Sequence, residues 1–332
     1  MANCSKHFDS YNDEIRLTNT RRKSLKKSRK DLRKKVRKYF KENKANKIQP
    51  KFSGQGSLLT DVIINPIPRY VKINNIEQQV LYYDVDDGIY FIVDDDSQDR
   101  DSIDNYHKWV CEAIDGHTDT PVEDKDTCVR TWFADGHNID NPIYYKQGHT
   151  PELAHKTKGW IFSDPQAFSN WFLSLVEIQP QLRILTRCLK GWADKMDFDN
   201  PSREMPSGIV LTILASNCAV YNVERPDIAL KETLVNIEAA LKENFKCERP
   251  TTPKGENLLG TYKHKDFFMN VLDNFIKDAK SALSESNERK ATELWRKHLS
   301  NRFPLGEDKE QEESKRFKAL GTLALSSKPF QG

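Results

Sequence analysis

The stretch from Phe52 to Val93 constrains this chain more than any other, because it joins a glycine-serine turn to a short apolar strand carrying two carboxylates. The turn reads Phe52-Ser53-Gly54-Gln55-Gly56-Ser57 and runs into Leu58-Leu59-Thr60-Asp61-Val62-Ile63-Ile64. Glycines lack a Cβ, so the backbone can turn sharply and approach a ligand closely. Ser57 stands where a helix N-cap would stand, with apolar residues following at helical spacing. The free N–H groups and positive dipole end of such a helix start form a natural phosphate site. Taken alone, a Gly-Ser turn is an ordinary cap.

The second half adds chemistry. Val80-Leu81-Tyr82-Tyr83-Asp84-Val85-Asp86-Asp87-Gly88-Ile89-Tyr90-Phe91-Ile92-Val93 is rich in β-branched and aromatic residues and reads as a strand. Side chains alternate faces in a strand, so Asp84 and Asp86 project together from one side. Two carboxylates on one face of an apolar strand repel each other and lose solvation, and a divalent cation compensates both effects. Hard carboxylate oxygens without nearby Cys or His favour magnesium or manganese over zinc. Asp87 falls on the face of Tyr83, Val85, Ile89 and Phe91, where this pattern assigns it no role.

With 332 residues and 37% hydrophobic content, the chain can bury a sizeable core as one large domain or two joined lobes. Its longest apolar run, Ile209 to Val220, contains Ser216 and Asn217 and is too short for a bilayer. The polar start lacks the apolar centre of a signal peptide, which predicts a cytoplasmic protein with no membrane partner. The six cysteines are scattered without a Cys-x-x-Cys pair, so a disulfide framework or structural zinc is not expected. The pair His107 and Cys111 lacks partners at zinc spacing.

A net charge of +3 conceals an asymmetry. Between Arg21 and Lys47 fifteen Lys or Arg face only Asp31 and Glu42, a local +13 that leaves −10 elsewhere. Leu25, Leu32, Val36 and Tyr39–Phe40 form a narrow apolar stripe, which predicts a helix over about 21–44 with its basic face outward. Such a face is solvated, or attracts nucleotides, RNA or another polyanion. Residues 1–20 are expected to be loose or to form a short leading helix. Further strands are expected over 126–133 and 137–145, where Pro142 suggests an edge or a bulge. Helices follow over about 165–176, 182–195, 206–220, 225–246, 264–286 and 288–299, the first capped by Ser163 or Asp164. A mixed α/β lobe therefore comes first (1–160), then a mainly helical lobe (161–321) and a short polar tail (322–332), with the cleft between lobes as the default ligand site.

Gln55-Gly56-Ser57 followed by Asp84-Val85-Asp86-Asp87-Gly88-Ile89-Tyr90 resembles the polymerase-β-like nucleotidyltransferases. More narrowly it is similar to the bacterial cyclic GMP-AMP synthases and their CD-NTase relatives in anti-phage signalling operons. The resemblance implies an α+β fold and a synthase joining ATP and GTP, or other NTPs, into a cyclic messenger sensed by a downstream effector. It implies that Gln55, Gly56 and Ser57 grip a triphosphate, and that Asp84, Asp86 and Asp140, the last in Ile139-Asp140-Asn141-Pro142-Ile143-Tyr144, hold two Mg2+ or Mn2+ ions. It extends to Arg130 in Cys128-Val129-Arg130 and to Ser163 in Trp160-Ile161-Phe162-Ser163-Asp164-Pro165 as nucleotide contacts. Lys190 in Arg187-Cys188-Leu189-Lys190-Gly191-Trp192 would pair with the triphosphate.

Two departures stand out. Pro206-Ser207-Gly208 replaces a Pro-Ser-Ser stretch, leaving Ser207 as its one hydroxyl, and Thr60 replaces an aromatic three residues after the motif serine. Glu256 is the candidate acid for reading guanine. Relatives also end in a tail that an E1/E2-like enzyme conjugates through its last residue, here Gly332. A template-free transferase acting on RNA or another acceptor, and an inactive nucleotide sensor, are the alternative readings.

Overall fold

The computed structural model describes residues 2–73, 76–93 and 100–308; the acidic run Asp94–Asp96 and the terminal Gly332 lie outside them. In chain order, α1 (Ser5–Ile15) and α2 (Asn19–Asn43) precede β1 (Pro50–Gly54) and the single turn α3 (Gly56–Leu59). The hairpin β2 (Arg69–Ile73) and β3 (Ile76–Val80) leads to β4 (Asp84–Val93) and α4 (Ile103–Ile114). Then come β5 (Glu123–Asp124), β6 (Cys128–Trp132), β7 (Asn138–Gln147), β8 (Pro151–His155) and β9 (Gly159–Phe162). The rest is helical: α5 (Pro165–Ile178), α6 (Gln181–Asp199), α7 (Gly208–Cys218), α8 (Pro226–Glu243), α9 (Lys265–Ser284) and α10 (Glu288–Leu299). The class is α+β, as the sequence predicts.

Alternation along β4 organises the sheet. Val85, Ile89, Phe91 and Val93 are buried on one face, joined there by Ile139, Ile143 and Tyr145 of β7 and Val129 of β6. That face is covered by α2, through Leu25, Leu32, Val36 and Phe40, and by α4, through Tyr106, Trp109 and Val110. Each such buried side chain contributes on the order of 1.5–3 kcal/mol. Helix α2 starts where Thr18 accepts the Arg21 N–H. A second apolar cluster gathers α5–α10, and α1 packs into it with Phe8, Tyr11 and Ile15 fully buried.

The strand order is β1-β4-β7-β6-β5, with β8 added to β7 and β9 to β8. Two boundaries differ from the sequence reading. The acid strand begins at Asp84 rather than Val80, because Val80 ends the β2–β3 hairpin. Strand β7 is neither an edge nor bulged at Pro142; it lies centrally, parallel to β4. Its other neighbour changes there, from β6 up to Pro142 to β8 from Tyr144. The β4–β7 ladder skips Asp87 and Gly88, and the Asn141 side chain donates to the Asp87 carbonyl oxygen across the gap (2.8 Å).

The basic face of α2 does not all look outward. Asp87 sits on the core face of β4, wholly buried, and takes Arg33 through both guanidinium arms, with Nε at 2.7 Å. Arg29 stands 3.8 Å away, and Arg33 and Arg37 also lie over the Phe52 ring. The charge pattern of α2 is thus read partly by β4. No helix among the described residues is long and apolar enough to cross a membrane.

Removing one member of a buried pair strands the other without compensation, at a cost of about 3–5 kcal/mol. Asp87→Ala should therefore lower stability by about 3 kcal/mol in urea unfolding. Asp31→Ala, on the exposed side of the same helix, should leave the midpoint unchanged.

Candidate active site

Strand register assembles the acids. Parallel pairing of β4 with β7 sets Asp84 beside Asn138 and Asp86 beside Asp140, and antiparallel pairing of β6 with β7 sets Arg130 beside Asp140. Alternation places all of these side chains on the face opposite the α2–α4 layer. Asp84 is the most exposed and accepts from Asn138 Nδ2 at 2.5 Å. Arg130 binds Asp140 bidentately, at 2.6 and 2.7 Å, and stands 3.6 Å from Asp84. The residue expected to touch nucleotide is therefore placed first as the counter-ion of an acid.

The turn before α3 is held by Gln55. Its backbone N–H donates to the Asp86 carbonyl oxygen, its side chain donates to the Tyr90 hydroxyl (2.7 Å), and Tyr90 stacks on Tyr144 at 4.7 Å. Gly88 makes this possible, since a Cβ there would fall 2.0 Å from Gln55 Nε2. Gly56 has φ +65°, and a Cβ on it would meet Asp86 Oδ2 at 2.1 Å. The Asp86 carboxylate thus lies directly against the turn. Ser57 is not the cap predicted from sequence: Gln55 occupies that position, and Ser57 lies within the single helical turn. Left-handed Gly56 starts the helix two residues earlier than a Ser57 cap would. The Ser57 carbonyl oxygen accepts from both Val62 and Ile63 N–H groups, which closes the turn.

Facing this turn, α6 carries Lys190 and the start of α7 carries Ser207, whose side chain makes no capping bond to its own helix. A cleft of about 610 Å³ separates the two sides. Gln55, Gly56, Ser57, Asp84, Asp86 and Ser163, the last just past β9, line it from the sheet side, and Lys190 and Ser207 from the other. Asp140 and Arg130 stand on the neighbouring strands and are not among its lining residues. Glu256, the candidate guanine reader, pairs with Arg249 (2.7 Å), and it is Arg249 that lines the cleft.

The electrostatics are unbalanced toward negative charge. Burial, then Asp140, then Asp84 push the Asp86 carboxyl up to about 7. Burial pulls Lys190 down to about 8, with Asp86 opposing. Among the described residues no three His, Cys, Asp or Glu side chains are grouped ready to hold a metal ion. The donors nonetheless fit a hard divalent cation: Asp84 and Asp86 offer oxygen only, and the burial and like charges that raise the Asp86 carboxyl are a penalty a cation would relieve.

One cluster escaped the sequence reading. Asp61, two residues past α3 and at φ +58°, takes Arg22, Arg16 (3.1 Å) and Arg187 (3.6 Å) on its carboxylate. Arg187 also donates to the Asp61 carbonyl oxygen and Arg183 to that of Thr60. Both arginines lie on α6, so the phosphate-type turn and the helix of Lys190 are tied together. A lone Asp after a Gly-Ser turn carries no signal of this.

Gly56→Ala should cost about 1–3 kcal/mol from backbone strain, with the Asp86 clash added. Thermal unfolding of this variant beside Ser57→Ala, which leaves the backbone alone, checks it.

Residues 50–144 match the family model described as cyclic GMP-AMP synthase DncV-like, nucleotidyltransferase domain. A cyclic GMP-AMP synthase of Escherichia albertii is 24% identical over 181 residues, which span 52% of this chain and 38% of that protein. The Vibrio cholerae DncV cyclic AMP-GMP synthase in complex with nonhydrolyzable GTP superposes with a TM-score of 0.74, at 18% identity, over 91% of this chain and 97% of that one. The same enzyme in complex with the linear intermediate pppA(3',5')pG gives 0.73, again at 18% identity and over the same shares. These structures establish likeness of fold. The matched segment holds β1, the Gly56–Ser57 turn and all three acids, so the likeness to a DncV-like nucleotidyltransferase domain covers the site itself.

Proposed function

We propose that this chain is a cyclic oligonucleotide synthase, joining ATP and GTP into cyclic GMP-AMP as a messenger in anti-phage signalling. The observation that carries this reading is the register that sets Asp84, Asp86 and Asp140 on one sheet face, with Asp86 against the Gly56 turn and across the cleft from Lys190. The DncV complexes with a GTP analogue and with a linear A-to-G intermediate support purine triphosphates as substrates.

Ser57 and the backbone of the α3 turn would hold the donor triphosphate from one side. Lys190 would meet it from the other as a point charge, and Ser163 and Ser207 would add hydroxyl contacts. Two divalent ions, magnesium or manganese, held by Asp84, Asp86 and Asp140, would neutralise the charge developing on the transferred phosphoryl group and lower the pKa of the attacking hydroxyl. Asp140 takes the attacking side, with Arg130 fixing the plane of its carboxylate. A ribose hydroxyl then attacks the α-phosphorus of a second NTP and pyrophosphate leaves. A second attack within the linear product, by its free ribose hydroxyl on the α-phosphorus of its own 5'-triphosphate, closes the ring and releases a second pyrophosphate. Holding both reactants in line in one cleft is the main task left to the protein.

A second reading has its own observation. Lys23, Lys26, Lys27, Lys30, Lys34, Lys38 and Lys41 on α2 are exposed, a strip suited to an RNA acceptor.

Incubation with all four NTPs and Mg2+ or Mn2+, followed by phosphatase and mass spectrometry, should yield a phosphatase-resistant cyclic product. Labelled ATP entering added RNA, with no acceptor-free product, selects the second reading. The Asp84→Asn/Asp86→Asn double variant should lose all product while keeping its far-UV circular dichroism. Mg2+ should raise the melting temperature of the parent protein and not that of the double variant; equal shifts would refute the metal assignment.

A further inference from the structure

Thr60 cannot serve as a stacking surface. It is buried, and its hydroxyl bonds the Gly56 carbonyl oxygen at 3.2 Å. The cleft nevertheless has an aromatic face of its own. Tyr82, two residues before Asp84, lines it and is 47% exposed. The ring stands edge-on to Trp132, with centroids 6.2 Å apart and planes at 87°. Trp132 is in turn fixed on two sides. Its Nε1–H donates to Glu123 (2.7 Å), and the Arg130 guanidinium that holds Asp140 lies 5.4 Å from its ring centre.

The backbone beside Tyr82 is pinned as well, although 81–83 lies outside any strand. Leu81 N–H donates to the Asp135 carbonyl oxygen, and Asn138 N–H to that of Tyr83. Leaving a large aromatic half in water forgoes much of its hydrophobic gain, which makes a pre-positioned ring at a cleft a contact surface in waiting. An aromatic ring has few torsions to freeze, so it binds at low entropic cost.

We propose that Tyr82, backed by Trp132, is the stacking platform for a purine base of the nucleotide whose ribose lies beside Asp84. This rests on the nucleotidyltransferase reading. It adds a base contact on the acid side of the cleft, on residues outside the Gly-Ser turn and the acid triad. A purine overlaps the ring more fully than a pyrimidine, so the platform favours adenine and guanine over cytosine and uracil. Trp132 acts through Tyr82 and is a positioning residue.

The test is binding without turnover, by calorimetry with the α,β-methylene triphosphates of adenosine, guanosine and cytidine in Mg2+. Tyr82→Ala should weaken the purine analogues about five- to tenfold, the lower end of the range for one lost base–aromatic stack, and the cytidine analogue less. Tyr82→Phe should restore most of that affinity. Trp132→Leu should produce a smaller loss with the same purine bias. Equal affinity of parent and Tyr82→Ala for all three analogues overturns the platform while leaving the nucleotidyltransferase reading intact. A parent protein that binds none of the three overturns both. Tyr82 is half-exposed, and matching circular dichroism of the variants keeps folding out of the comparison.

Discussion

Three carboxylates crowd one end of two adjacent strands, and most of what surrounds them makes that charge tolerable. Burial raises the protonation tendency of the innermost acid, Asp86, and the like charges of Asp140 and Asp84 act in the same direction. Arg130 answers from the next strand by taking Asp140 in both arms. Lys190 answers from across the cleft, on a helix belonging to the other apolar cluster. Neither cation cancels the surplus at Asp86. A site left short of positive charge in this way is suited to receive metal ions and the phosphates that travel with them.

The position of those cations depends on how the two apolar clusters are joined. Asp61 gathers Arg16, Arg22 and Arg187, drawing the α1–α2 junction, the end of the α3 turn and helix α6 to one point. One helical turn separates Arg187 from Lys190, so the same contact that anchors the Gly-Ser turn sets the distance at which Lys190 faces it. Asp87 performs the parallel task beneath the sheet, holding α2 to β4 through Arg33. The negative charges that look spare in the sequence are fastenings; those that look active are left partly uncompensated.

Some of this was legible in the linear chain. Alternation in the acid strand and the apolar stripe of α2 placed Asp84 and Asp86 on one face and the basic helix on the body, because both signals depend only on local periodicity. The helices of the second half were readable for the same reason. Where the reading missed, a non-local neighbour decided. Ser57 lost its capping place to Gln55, because Gly56 takes a left-handed conformation against Asp86. Pro142 lies in a central strand, because β7 exchanges one partner for another beside it and Asn141 spans the interrupted ladder.

By itself, then, the sequence determined the α+β class, the acid pair and the turn that approaches it, since spacing and backbone freedom are properties of short segments. Tertiary structure alone decided that Asp140 stands level with Asp86 and is already held by Arg130, that Asp87 is buried under Arg33, and that Asp61 binds three arginines. It also brought Tyr82 against Trp132 at the cleft. Each of these is a pairing of charges or rings far apart in the chain, and strand register and lobe packing fix such pairs where local pattern carries no record of them.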